Sequence, residues 1–244
     1  MKQINFITFG SGEKRYQRAV QRILREATEM DIFSKIIGYS EADLRNDSFF
    51  WDKMGTFISS NRRGYGFWSW KPYLIWKQLK EMNIGDILLY ADAGCLLNKG
   101  GSERLLEWID DFETVDIQVI TASVNNCTER IWTKKAMLDY FQVQDTSKDR
   151  PQYGASIVFV RKNIKTLSFF EDLMRIIFDH SYLLTDEVSP DEDPCFKENR
   201  HDQSLFSCKL YQNKENLQIK VIFDGSLISK RMDPRAPILI ARNR

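Results

Sequence analysis

Apolar positions along the chain fall into two alternating rhythms. Ile4 to Phe9 is a short continuous apolar run closing on Gly10-Ser11-Gly12, which reads as a buried strand ending in a glycine turn. From Glu13 to Glu29 the rhythm changes: Ala19, Ile23 and Ala27 recur at helical spacing, with Val20 and Leu24 beside them. Lys35 to Tyr39 returns to strand character, so strand, helix and strand open the chain as an α/β unit. Helical pieces are predicted over Asp47 to Ser60 and from Pro72, an early helical residue, to about Met82. A strand over Asp86 to Tyr90 then leads into Ala91-Asp92-Ala93-Gly94.

The second half repeats the scheme. Ser102 is placed to cap a helix over Glu103 to Asp111, and Ile117 to Thr121 is a strand. Thr128 to Tyr140 has helical spacing, and Tyr153-Gly154-Ala155 leads into a strand over Ser156 to Val160. Lys165 to His180 is a long helix, followed by a wet acidic loop carrying Asp186, Glu187, Asp191, Glu192 and Asp193. His201 to Leu210 is a helix and Ile219 to Phe223 the last strand. No repeat, heptad or linker divides the chain. The expectation is one α/β domain over residues 1–244, with a central, mostly parallel sheet flanked by helices and a ligand crevice beyond the carboxyl ends of the strands.

Charge narrows the function. Lys plus Arg is 35 and Asp plus Glu 34, a net charge of +1, which argues against a nucleic-acid groove as the dominant surface. No run is long enough for a membrane span, and the opening residues do not read as a signal peptide. Cys95, Cys127, Cys195 and Cys208 form no metal-binding spacing and read as small hydrophobes. A reducing, cytoplasmic setting is expected. The tail from about residue 228 holds Lys230, Arg231, Arg235, Arg242 and Arg244 against Asp233 alone. It is read as closing over anionic ligand groups or as touching an anionic membrane surface, which would place the protein peripherally at the inner face of a membrane.

Four stretches carry candidate chemistry. Asp92 follows an apolar strand, where a carboxylate meets the crevice; it can hold a divalent cation, receive ribose hydroxyls or merely cap the turn. Thr8 to Gly12 can admit a base or sugar or be a simple tight turn, and it lacks the third glycine of a dinucleotide fingerprint. The block Arg62-Arg63-Gly64-Tyr65-Gly66-Phe67-Trp68-Ser69-Trp70-Lys71-Pro72-Tyr73 offers rings for stacking. Lys71 in it sits at a helix start, suited to a phosphate. In Arg200-His201-Asp202-Gln203-Ser204, Asp202 stands near a helix N-terminus, which should keep its pKa low and favours orienting an acceptor hydroxyl over deprotonating it. His201 is suited to a phosphate or a metal, and both residues can simply cap the helix.

Together these stretches resemble a small glycosyltransferase of the GT-A fold, the type that uses nucleotide sugars. The resemblance rests on Phe6-Ile7-Thr8-Phe9-Gly10, Trp68-Ser69-Trp70-Lys71-Pro72-Tyr73, Ile87-Leu88-Leu89-Tyr90-Ala91-Asp92-Ala93-Gly94, Arg200-His201-Asp202-Gln203-Ser204 and Tyr153-Gly154-Ala155-Ser156-Ile157-Val158-Phe159. The pairing of Trp-x-Trp-Lys-Pro with Tyr-Ala-Asp-Ala-Gly is similar to surface-glycan or capsule transferases of bacteria and large DNA viruses.

The resemblance implies a nucleoside diphosphate sugar donor, a glycan or other hydroxyl acceptor, and Mn²⁺ or Mg²⁺ on Asp92. By the same resemblance Thr8, Phe9, Gly10, Arg62, Lys71, Asp92, Ala93, Gly94, Gly154 and Ala155 line the donor site. Trp70, His201 and Asp202 face the acceptor, with Asp202 catalytic. The family's Asp-x-Asp motif is incomplete: position 90 is Tyr and position 94 is Gly, leaving one carboxylate. A sugar-nucleotidyltransferase and a non-catalytic glycan- or nucleotide-binding module are the rival readings.

Overall fold

The computed structural model describes residues 2–121, 127–222 and 233–240. In chain order the elements are β1 (Ile4–Gly10), α1 (Lys14–Met30), β2 (Lys35–Ser40), α2 (Glu41–Arg45), α3 (Ser48–Ser60), α4 (Gly64–Phe67), α5 (Trp70–Glu81), β3 (Ile87–Ala91), β4 (Leu96–Leu97), α6 (Ser102–Asp110), β5 (Ile117–Thr121), α7 (Glu129–Trp132), α8 (Lys135–Tyr140), β6 (Tyr153–Arg161), α9 (Ile164–Asp179), α10 (Asp202–Asn213), β7 (Ile219–Ile222) and β8 (Ile238–Leu239). Six strands form one sheet in the order β2-β1-β3-β6-β5-β7. β1 runs parallel to both β2 and β3, and β5 parallel to β7. β6 alone is reversed, antiparallel to β3 and β5.

Strand alternation sorts the core into two layers. Phe6, Ile87, Leu89, Ala91, Ile157 and Phe159 pack with Ile23 and Ala27 of α1 and Leu105 and Ile109 of α6. Ile7, Phe9, Leu88, Tyr90, Val158 and Val160 pack on the other face with α3, α5, α9 and α10. Because β6 is reversed, its first residues lie at the same sheet edge as the carboxyl end of β3, and the Asp92 amide donates to the Ser156 carbonyl at 2.8 Å. That edge gathers the candidate residues.

Several local expectations change. The segment 128–140 is two short helices, because Thr133 is extended between them (φ −126°, ψ 121°). α6 begins at Ser102 itself, so that serine caps nothing; its hydroxyl donates to the Met30 carbonyl at 3.4 Å. The acidic loop is not simply solvated: the buried Lys134 ammonium donates to the carbonyls of Tyr182 (2.7 Å), Thr185 (3.1 Å) and Glu187 (3.0 Å). β7 is not the last strand, since β8 pairs with β4 through Leu96 and Leu97. Asn98 ties this return in place by donating to the carbonyls of Pro234 (2.9 Å) and Ala236 (3.0 Å). Of the basic tail, Arg235 is exposed, while Lys230, Arg231, Arg242 and Arg244 lie outside the described residues, as does Phe223. None of the four cysteines is in a disulfide among the described residues. No helix among the described residues is long and apolar enough to cross a membrane.

Candidate functional site

Three charged side chains from three elements meet at the sheet edge. The Lys71 ammonium, in the first turn of α5, lies 3.1 Å from Asp92 Oδ1 and 2.6 Å from Asp202 Oδ2. It also donates to the Ala155 carbonyl at 3.2 Å and sits 5.2 Å from the centre of the Tyr90 ring. Tyr90 donates its hydroxyl to Asp92 Oδ1 at 2.6 Å. Lys71, Tyr90 and Asp202 are buried, whereas the Asp92 side chain is 34% exposed and is the opening of the group to solvent.

The electrostatics differ from expectation at Asp202. Burial, the largest cause, and the like charge of Asp92 outweigh the attraction of Lys71 and push the carboxyl up to about 6. The helix N-terminus does not hold it low: the Gln203 amide pulls in that direction, but burial outweighs it. Burial works against the Lys71 charge, but Asp202 and Asp92 prevail and hold its pKa above the ordinary lysine value. Burial first and the Asp92 charge second raise the Tyr90 phenol well above its usual range, so it stays a neutral donor. With both carboxylates ionised, two negative charges face one positive charge.

The aromatic block forms a turn of unusual hand. Gly64, Tyr65, Gly66, Phe67 and Trp68 all have positive φ, between 53° and 81°. Their amides bond back in sequence, Gly66 to the Asn61 carbonyl (2.8 Å), Phe67 to Arg63 (2.7 Å) and Trp68 to Gly64 (3.1 Å). For each bulky residue this conformation costs about 1–2 kcal/mol. Gly66 has a second reason to be glycine: a Cβ there would lie 2.6 Å from Ile58 Cγ1. Packing holds the turn. Trp70 is buried, its ring centre 4.0 Å from that of Phe9, and its indole donates to the Gly64 carbonyl at 3.1 Å.

His201 packs against this turn, its ring centre 4.9 Å from Phe67 and 5.5 Å from Trp68. It too has positive φ, 50°. Its Nδ1 donates to the Leu184 carbonyl at 2.7 Å, and burial lowers its pKa, so it is a neutral imidazole immediately before Asp202. Strain gathered on both sides of one ion pair is the pattern expected of a working site.

The other expected residues are placed as follows. Thr8 is buried with its hydroxyl unpartnered, in the strand phase of Phe6 rather than of Phe9. Gly10 ends β1, where a Cβ would lie 2.6 Å from Val20 Cγ2 of α1. Arg62 is exposed. Ala93 and Gly94 form the turn after Asp92, and Gly154 is the second residue of β6. Lys71, Asp92, Ala155 and Asp202 are therefore brought into one cluster. Trp70 and His201 support it from behind, with their rings packed inside the protein. Asp86 is at the far end of β3, accepting from the Gln3 and Asn83 amides at 3.0 and 3.1 Å.

Three residues make contacts around the site that the sequence did not reveal. Arg22 of α1 donates to the carbonyls of Ala93 (2.7 Å) and Cys95 (2.9 Å) and so fixes the turn after Asp92. Arg63 pairs with Asp186 at 2.7 Å and joins the aromatic turn to the acidic loop. Tyr90 could have been found, since strand alternation puts it on the same face as Asp92.

A divalent cation can be weighed against this donor set. Among the described residues no three His, Cys, Asp or Glu side chains gather as a metal cage. The Lys71 and Tyr90 contacts to Asp92 both fall on Oδ1, which leaves Oδ2 for an ion. Mg²⁺ commonly takes one or two carboxylates and fills its shell with phosphate and water. The set therefore fits an ion that arrives with a diphosphate better than one resident in the protein.

No family model matches the chain, and no curated protein matches it. Solved structures do. Mouse xyloside xylosyltransferase 1, in its apo form, superposes with a TM-score of 0.52 at 11% identity over 97% of each chain. A glycosyltransferase involved in glycosylation of the major capsid of PBCV-1 gives 0.44 at 10% identity, covering 90% of this chain and 81% of its own. A Bacillus anthracis protein named as a glucose-1-phosphate thymidylyltransferase gives 0.38 at 9% identity over 90% and 86%. The first likeness fixes the architecture: the chain has a GT-A-like fold, a mostly parallel sheet flanked by helices. The other two, lower on the same scale, add nothing to that.

Proposed function

We propose that this chain is a glycosyltransferase that moves a sugar from a nucleoside diphosphate sugar to a hydroxyl of a glycan or other acceptor. One observation carries the reading: Lys71, Asp92 and Asp202 converge at the strand ends of a GT-A-like sheet, around one ammonium 3.1 and 2.6 Å from the two carboxylates. Strain in the adjoining turn and a carboxyl pushed up to about 6 mark the same place.

In this reading Asp92 meets the donor diphosphate, and Arg62, exposed at the start of the aromatic turn, supplies positive charge to it. Mn²⁺ or Mg²⁺, held by Asp92, would neutralise charge developing on the leaving diphosphate. Lys71 fixes the orientation of Asp92 and Asp202 together, a positioning effect. Asp202, poised near neutrality, orients the acceptor hydroxyl and can take its proton. His201, neutral and packed on Phe67 and Trp68, holds the first turn of α10 so that Asp202 faces Lys71.

The test is product formation. Purified protein is incubated with nucleoside diphosphate sugars, Mn²⁺ and a panel of acceptor glycans, and products are read by mass spectrometry. Transfer that disappears in Asp202→Asn and Asp92→Ala supports the reading. Diphosphate release from a nucleoside triphosphate and a sugar 1-phosphate, without transfer, would replace it with nucleotidyl transfer.

A further inference from the structure

A second pocket lies away from the Lys71 cluster, beside the edge strand β2. Its volume is about 380 Å³, within the roughly 300–1,000 Å³ of small-molecule sites. Tyr39, Asp43, Asn46, Asp47, Ser48 and Lys77 line it. One strand, β1, lies between β2 and β3 in the sheet, so this is not an extension of the turn that carries Asp92.

The charges in the pocket are already engaged. The Asp47 carboxylate takes the Lys77 ammonium and, at 2.5 Å, the Tyr73 hydroxyl. Burial opposes its ionisation, but the bonds from Lys77 and Tyr73 prevail and hold it below the usual carboxylate range. One oxygen of Asp43 takes the Ser40 amide at 2.7 Å and its hydroxyl at 2.6 Å. Lys77 thus stands where a free cation would otherwise bind. Two carboxylates against one ammonium make the pocket unwelcoming to an anion.

What remains for a ligand is a mixed set of neutral donors and acceptors. The Asn46 side-chain amide and the Ser48 hydroxyl are bonded to no other described residue, whereas the Tyr39 phenol, raised to about 12 chiefly by burial, keeps its proton and donates it to Gln78 at 3.3 Å, leaving only its oxygen as an acceptor. Two aromatic residues adjoin the lining residues in sequence. Phe49, next to Ser48, is 48% exposed and lies nearly parallel to Trp76, the neighbour of Lys77, with centres 5.7 Å apart and planes at 22°. A sugar ring has this complement, hydroxyls around its rim and C–H bonds on its faces.

We propose that the pocket beside β2 binds a neutral saccharide unit, with Asn46 and Ser48 bonding its hydroxyls and Phe49 lying against its C–H face. The inference does not depend on transfer chemistry, since it concerns binding at a place apart from Asp92.

Isotope-labelled full-length protein is titrated with maltotetraose, cellotetraose, xylotetraose and chitotetraose, and in separate arms with Ca²⁺ and inorganic phosphate, while amide and indole resonances are followed. At least one tetrasaccharide is expected to shift the Asn46, Ser48 and Trp76 signals, and Asn46→Ala or Phe49→Ala to raise its Kd about tenfold. Both residues are exposed, so the spectra of the variants should otherwise match wild type. The proposal is overturned if no tetrasaccharide moves these signals, if only Ca²⁺ or phosphate does, or if the saccharide shifts survive in the double variant. Nucleotide-sugar titrations read in the same spectra report on Asp92 separately, so this proposal and the glycosyltransferase reading stand or fall independently.

Discussion

Two buried carboxylates touch α10, and they live in opposite circumstances. Glu129 is fully buried and surrounded by neutral donors: Ser207 at 2.6 Å, Thr133 at 2.5 Å and Gln152 at 3.2 Å, with Arg150 at 4.0 Å. Asp202 shares a single lysine with a second carboxylate and is pushed up to about 6. A carboxylate held by many fixed donors is part of the scaffold, whereas one whose charge is contested can exchange a proton during a reaction. Gln152 links the two environments, bonding Glu129 on one side while its carbonyl accepts from Gln203, the neighbour of Asp202, at 2.8 Å.

Lys71→Met should break the comparison most severely. It leaves Asp92 and Asp202 facing each other without their shared cation, a loss of roughly 3–5 kcal/mol. Transfer should fall by about 1,000-fold or more. Chemical denaturation together with the transfer assay checks both effects. Asp202→Asn separates them: the same order of loss in transfer, with stability at pH 7 within about 1 kcal/mol of wild type, because the charge removed was already poorly accommodated.

Glu129→Gln should do the reverse. It turns an acceptor into a donor among donors and should cost about 1–3 kcal/mol, while transfer falls no more than about tenfold. Comparable losses of stability and kcat in both variants would erase the distinction between the two carboxylates.

The smallest expected effect is in pH. Asp202 binds its proton more tightly in the folded chain, with a pKa of about 6 against an ordinary 3.8. Its contribution to stability is therefore fully present below the ordinary value and is lost as pH rises through about 6. Unfolding of wild type and Asp202→Asn compared from pH 4 to pH 7 should show wild type losing ground by on the order of 2 kcal/mol. A flat difference would remove the raised carboxyl.

The contrast also shows what a sequence can reveal. The strands and long helices are legible because their apolar periods are local: β1, α1, β2, α5 and α9 fall within a residue or two of their patterns. Tyr90 and Asp92 are legible as a same-face pair. The charge state of Asp202 is not, because helix position argues for a low pKa and only burial in the surrounding core and the charge of Asp92 reverse it, against the pull of Lys71. The left-handed turn is half legible: Gly64 and Gly66 signal a bend, but Tyr65, Phe67 and Trp68 have no preference for positive φ and are held there by Trp70 and His201. The break at Thr133 and the pairing of β8 with β4 depend on distant partners and leave no periodic trace.

The most direct test of the central claim is calorimetric titration of nucleoside diphosphate sugars into wild type and Asp92→Asn, each with and without Mn²⁺. The account predicts donor binding to wild type, strengthened by Mn²⁺, with that strengthening lost in Asp92→Asn. Folded wild-type protein that binds no donor under either condition would contradict it.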